Sequence, residues 1–257
     1  MTANTVIWRI VAAIFVFVLL SPLLLVILFA FTNRSLANFP IEHLSFQWWG
    51  EMVSHRQFAA AFWNSLIVGG VVGVISAVVG TAAAMGFARL PPRQAGIGIA
   101  ILSLPLMMPP LVLAVSLLTA FVSVGMTLSL TTVILSHLLF TQPFVILVVY
   151  ARMTAFDWRV VDSARDLGAS PFRAFLTVTL PIIQPTVIGA ALFAVALSID
   201  DFVITLFTIG EGNTLPIFVW GMMRTGLKPT VNAIGTLIIL MSIGLTLIAL
   251  WLTRYRG

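Results

Sequence analysis

Long apolar runs, broken at intervals by short polar stretches, make up most of the chain. Residues 8–31, 62–88, 97–121, 130–151, 181–209 and 231–253 are each continuous enough to cross a bilayer as a helix, which takes about 20 apolar residues. The runs do not alternate polar with apolar, and turn signals are too sparse for a barrel. The pattern predicts an all-α integral membrane protein with six transmembrane helices. Its first run far exceeds the roughly 7–15 residue core of a signal peptide, and no small-residue cleavage site follows promptly. It reads as a retained first span. Asn64 and Ser65 fall at the opening of the second run, where they are expected to cap that helix.

The polar interruptions carry their own expectations. Residues 32–61 form a long loop with "FQWW", suited to an interfacial helix with Trp48 and Trp49 near the headgroups. The third run contains "LPLMMPPLVL", and Pro105, Pro109 and Pro110 must kink or break it. Such a break is tolerated where it is buried in protein or lines a cavity, so a plain kink and a pathway lining both remain open. After the fifth run comes a turn, then an apolar stretch too short to cross, expected to be re-entrant or interfacial. Between the fourth and fifth runs lies "VDSARDLGASPFRAFLTVTLP", 161–181. There Val160, Val161, Ala164 and Leu167 share one helical face. Gly168 can supply a left-handed stop, and Ser170 and Pro171 are an N-cap and first-turn proline for a second helix. The segment therefore specifies a short helix, a sharp corner and an amphipathic helix leading into the span. A solvated loop helix on the membrane surface and a helix docked on a soluble partner both fit that description.

Composition sharpens the class. Of 257 residues, 60% are hydrophobic and 8% charged, against roughly 25% charged in soluble domains. The net charge of +5 is scattered along the chain, which sets nucleic acid aside and makes the basic residues a guide to orientation. With the N-terminus in the cytoplasm, Arg9, Arg89, Arg93, Arg152, Arg159, Arg165, Arg173, Arg254 and Arg256 fall inside, and Arg34, Arg56, Arg224 and Lys228 outside. Both termini and 161–181 are then cytoplasmic. There is no cysteine, which excludes disulfides, thiolate metal sites and a cysteine nucleophile. Three scattered histidines and no carboxylate cluster offer no metal site. Neither a nucleophile–base arrangement nor a glycine-rich phosphate loop is visible.

The spacing in 161–181 resembles the loop of ABC-importer permeases: Glu-Ala-Ala, three residues, Gly, nine residues, Ile-x-Leu-Pro. Asp162-Ser163-Ala164 stands first, Gly168 follows after three residues, and Val178-Thr179-Leu180-Pro181 after nine more. The resemblance covers about residues 63–251. It implies a type I importer transmembrane domain there, preceded by an N-terminal helix and outer loop (1–62) and followed by a short cytoplasmic tail (252–257). It also implies a bacterial inner-membrane location. The segment around Asp162, Ser163, Ala164, Arg165, Asp166, Gly168, Ala169 and Ser170 would be a coupling helix, seated on an ATP-hydrolysing subunit. The implied partners are two ATPase subunits, which hold the ATP and magnesium, a second homologous permease of a different sequence, and an extracytoplasmic solute-binding protein. No cofactor is expected on this chain, and the mechanism implied is alternating access.

Asp200 and Asp201 are the sharpest feature within the spans, since ionisable groups at membrane depth usually face a cavity or a partner. They are expected either to meet a cationic substrate or to form a structural or gating pair, bonded to donors such as Ser198 or Thr205. Adjacent helical positions point about 100° apart, so the two need not act together. His137 and Gln142 in the fourth run are further pathway candidates, although an intramembrane histidine is more commonly a hydrogen-bonded packing residue. Residues 197–240 resemble spermidine and putrescine importer permeases through Ser-x-Asp-Asp (198–201), Leu-Pro (215–216), Gly-x-x-Pro (226–229) and Val-Asn-Ala-x-x-Thr (231–236). A polyamine is thus the expected cargo, with opines, phosphonates and ferric iron as alternatives. An ion-coupled secondary transporter would also suit intramembrane carboxylates and a broken helix, but it leaves the cornered loop unexplained.

Overall fold

The computed structural model describes residues 3–35, 38–226 and 228–254. Of the expected tail, 255–257 lie outside the described residues. The chain forms two compact units, one from 1–59 with 218–240, the other from 60–217 with 241–257. Helices supply nearly all regular structure among the described residues.

The smaller unit holds α1 (Ala3–Phe29), α2 (Gln47–Ser54) and parts of α12 (Leu215–Thr225) and α13 (Thr230–Arg254). α2 is a helix within the 32–61 loop, where one was expected. Its two tryptophans tie that loop back on itself: Trp48 Nε1 donates to the Thr32 carbonyl at 2.7 Å, and the Trp49 ring lies 5.5 Å from that of Phe31. Ion pairs join Arg34 to Glu42 and Lys228 to Glu51. α13 lies close enough to α1 for a Cβ on Gly235 to meet Val26 at 3.3 Å.

The larger unit is organised around α3 (Phe58–Phe87), α7 (Leu130–Thr154) and α10 (Leu180–Asp200). α7 and α10 lie along each other, with the Phe144 and Phe193 rings stacked 4.3 Å apart. Val145, Val149, Met153, Ile183 and Ala194 fill the core between them. Glycines on α3 let it approach both: a Cβ on Gly80 would sit 2.7 Å from Val145 of α7, and one on Gly69 would sit 2.8 Å from Ile199 of α10. Close backbone approach of this kind is how helices gain dispersion contact in lipid, where no hydrophobic force drives them together.

Five helices among the described residues are long and apolar enough to cross a membrane, where six spans were expected. The missing one is the third, which is divided into α4 (Pro92–Leu102), α5 (Leu104–Met107) and α6 (Pro110–Ser123). Pro109 has no amide to donate and holds Met108 in extended backbone with ψ 140°. The fifth span also departs from its expected bounds. It is apolar and helical from Pro171 to Asp200, then stops, and 203–208 form a separate helix, α11 (Val203–Thr208). Its first part, α9 (Pro171–Ala174), continues through a π-helical turn, Phe175–Thr179, into α10. Pro181 lies two residues beyond the end of that turn. An α-helix would need its absent amide for the Thr177 carbonyl, and the Leu180 amide instead reaches back five residues to Phe175.

Asn64 and Ser65 do not cap their own helix. α3 starts earlier, at Phe58, so both lie inside it. Their side chains hold the turn before α12: Asn64 Nδ2 donates to the Asn213 carbonyl at 2.8 Å, and Ser65 Oγ accepts the Leu215 amide at 2.9 Å. That amide is one of the orphan donors at the start of a helix.

Candidate functional site

Two polar constellations stand out in the larger unit. The first is the corner between α7 and α10. α7 ends at Thr154, and Trp158 anchors the connection by packing on Phe156 and lying 5.0 Å under the Arg89 guanidinium. α8 (Arg159–Asp166) follows. Gly168 has φ +89° and donates to the Arg165 carbonyl at 2.9 Å, while Ala169 donates to Ala164 at 3.1 Å. These two bonds are the Schellman closure, which requires a left-handed residue where this chain has glycine. Ser170 then accepts the Arg173 amide at 3.3 Å, with Pro171 as the first residue of α9. Helix, corner and second helix all lie where the residues placed them. Ser170→Ala is expected to cost about 1 kcal/mol locally, read as faster amide hydrogen exchange at Arg173.

One expectation at the corner fails. Val161 is buried and Ala164 packs against the core, but Val160 is half exposed and Leu167 is 90% exposed. α8 ends at Asp166, so Leu167 belongs to the turn and leaves the helical face. Asp162, Arg165 and Asp166, with 168–171, line an open depression of about 630 Å³. Ser163 turns its hydroxyl back onto the Arg159 carbonyl. The corner thus presents charge and two exposed apolar side chains, Leu167 and Phe172.

The second constellation surrounds the break between α10 and α11. His137 of α7, 1% exposed, is hydrogen-bonded through both ring nitrogens: Nδ1 to Ser198 Oγ at 2.7 Å and Nε2 to Thr205 Oγ1 at 2.9 Å. Asp201 Oδ2 lies 3.3 Å from Nε2 and accepts both the Thr205 amide, at 2.9 Å, and the Thr205 hydroxyl, at 3.0 Å. One assignment satisfies every atom: Nε2–H donates to Thr205, Thr205 donates to Asp201, and Ser198 donates to Nδ1. The chain of bonds continues through α7, where Thr141 Oγ1 donates to the His137 carbonyl and lies 3.1 Å from Ser76 Oγ of α3. Buried polar groups linked in this way fix helices in one register, because each is costly to leave unpaired.

The sequence candidates therefore separate. His137 and Asp201 come together. Gln142 faces α3 near Gly80, and its buried Oε1 makes no hydrogen bond among the described residues. Asp200 is exposed and makes no side-chain bond to the network among the described residues. Thr205 was anticipated only as a local donor. Its role as the hub joining His137 to Asp201 had no signal in the sequence beyond a hydroxyl one helical turn after an acid.

Residues 69–256 match the family described as binding-protein-dependent transport system inner membrane component. The Escherichia coli K12 putrescine transport system permease protein PotI is 32% identical over 241 residues, covering 90% of this chain and 85% of that protein. The Haemophilus influenzae spermidine/putrescine transport system permease protein PotC is 30% identical over 86% of this chain and 87% of its own length. Among solved structures, a bacterial ABC transporter involved in alginate import superposes with TM-score 0.75 at 14% identity, over 98% of this chain and 96% of that one. The inward-facing MetNI methionine ABC transporter gives 0.62 at 18% identity, over 77% and 95%.

Proposed function

The chain belongs to the family of binding-protein-dependent transport system inner membrane components, and from that premise we propose that it forms half of the pathway of a polyamine importer. It is a transport subunit and a multi-pass inner membrane protein of type I ABC-importer fold. The observation that carries the cargo is the likeness, over 86–90% of the chain, to permeases named for putrescine and spermidine. An exposed carboxylate at the end of a membrane-spanning helix suits a cationic solute.

In this reading both termini are cytoplasmic, and the corner at 159–174 seats on an ATPase subunit, with Leu167 and Phe172 as its apolar contacts. A second, homologous permease completes the pathway, two ATPase subunits hold ATP and magnesium, and a binding protein delivers cargo from outside. Closure of the ATPase pair moves the corner as a rigid piece, and α10 carries that motion into the membrane. The test is uptake of labelled putrescine and spermidine by cells holding the other subunits, with and without this chain. Uptake requiring both the chain and ATP supports the reading. An ATPase that co-purifies without any polyamine uptake would keep the importer and replace the cargo with another small solute.

A further inference from the structure

We propose that the cleft between α3 and the joint of α9 with α10 binds an anionic phospholipid of the cytoplasmic leaflet, with one acyl chain in the cleft and the phosphate at Arg173. The site rests on the reading above for its orientation, with the corner inside, and on nothing about the cargo.

The cleft holds about 520 Å³. One wall is a stripe on α3, Ala77, Val78, Thr81, Ala82 and Met85, which runs about 12 Å along the helix at 1.5 Å per residue. The facing wall has Phe172 and Phe175 at one end and Val187 of α10 at the other. Thr81 alone among the lining residues is polar. An apolar cavity of about 150 Å³ already stays dry and takes hydrocarbon, and this one is larger. A polyamine finds no anion in such a lining, so the cleft suits an acyl chain and excludes the cargo.

Two polar groups give the occupant its head end. α3 has 30 residues, about 45 Å, against a hydrocarbon core of about 30 Å. With the excess shared between its ends, Met85 stands among the headgroups and Thr81 just inside the hydrocarbon boundary, at the depth of a phospholipid's ester carbonyls. Thr81 is 5% exposed, and its hydroxyl has no hydrogen-bond partner among the described residues. The usual recourse is the carbonyl one turn back, taken by Ser136, Thr141 and Thr208 in the same unit. Threonine in a helix divides between two χ1 rotamers, and exchanging hydroxyl for methyl presents the donor to an ester carbonyl in the cleft. Pro171–Asp200 is as long as α3, which puts Arg173 at headgroup level. Arg173 is exposed, and its guanidinium makes no hydrogen bond or ion pair among the described residues. Its fork of donors matches a phosphate, and basic residues at the cytoplasmic surface attract anionic lipid.

The test uses the complete transporter in nanodiscs and a phosphatidylglycerol with a diazirine near the end of one acyl chain. Labelled peptides are read by mass spectrometry after illumination, without cargo or ATP. Label is expected on 77–82 and Val187, in excess over the same probe built on phosphatidylcholine. Ala82→Phe fills the cleft from an exposed helix position and should remove it. Arg173→Gln should lower the preference for phosphatidylglycerol about fivefold, the scale of one basic residue at an anionic surface, with the same residues labelled. Thr81→Val, nearly isosteric, should weaken labelling by both lipids alike. No label at 77–82 in the complete transporter would overturn the proposal and make the cleft a contact with another subunit. Equal labelling of the wild type by both lipids, or label indifferent to Ala82→Phe, would overturn the site and leave boundary lipid. Orientation is tested apart, because the chain has no cysteine: Leu167→Cys should react with an impermeant maleimide only once the cytoplasmic face is opened. Reaction in sealed cells would overturn the leaflet together with that orientation, whereas failure of polyamine uptake would bear on the cargo alone.

Discussion

Replacing Gly168 with valine is expected to cut ATP-driven import by about tenfold or more while the chain remains inserted in the membrane. The reason is conformational, not steric. A Cβ at Gly168 would have nothing within 4 Å, so there is room for a side chain. Its φ of +89°, however, lies where L residues are strained, and a β-branched residue there costs on the order of 1–3 kcal/mol. The chain relieves that strain by giving up the left-handed turn, and with it the bonds from Gly168 to Arg165 and Ala169 to Ala164. α8 and α9 then lose their fixed angle, so the charged depression and the two bare apolar side chains no longer present one surface. Co-purification of the ATPase should fall in proportion. Gly168→Asn, which tolerates positive φ better, should keep more of both. Normal import by the valine variant would mean that the corner transmits nothing.

Gly73→Leu should act in the opposite way, through space alone. Any Cβ on Gly73 runs into Val195 Cγ2 of α10 and comes 3.4 Å from the Ala191 carbonyl oxygen. Val195 is β-branched and has little freedom to rotate within a helix, and the carbonyl is backbone. Leucine would gain up to about 1 kcal/mol of helix propensity over glycine, but overpacking of this kind costs typically 1–3 kcal/mol, and here both obstacles are rigid. Forcing α3 and α10 apart should also strain the Gly69–Ile199 approach one turn away. The expected result is a net loss of about 2 kcal/mol, seen as a lower thermal unfolding midpoint of the detergent-solubilised protein. In a double-mutant cycle, Val195→Ala should recover part of the loss. A midpoint equal to that of the wild type would show that the two helices are not held at this contact.

What could be read in advance follows from how local the physics is. The corner was legible because Gly168, Ser170 and Pro171 each dictate backbone within a few residues of themselves. Pro109 and Pro110 likewise announced a break in the third span, although whether the pieces would still count as one crossing depended on how far Met108 and Pro109 extended. The aspartates were legible as a pair that need not face the same way, but not in which of them the fold ties down. Asp201 is fixed by His137, which lies more than 60 residues away on another helix. Asn64 and Ser65 were misplaced because α3 begins at Phe58, a turn before the 62–88 run, and a polar residue near a helix start looks the same whether it caps that helix or a neighbour. Leu167 left its expected face for a similar reason: a residue at the very end of a helix follows the turn, and periodicity says nothing about turns.

The π-helical turn at Phe175–Thr179 has a consequence for how the corner is aimed. Such a turn carries one residue more than the α turn it replaces, and one residue corresponds to about 100° of helical phase. The azimuth of α9 about the axis of α10 is therefore set by a single surplus residue. Deleting one position between Phe175 and Thr179 would leave every side chain of the corner, 159–174, in place. It would nonetheless swing the corner about a quarter-turn around the axis, so that the chain would carry all of its contacts and point them at the wrong bearing.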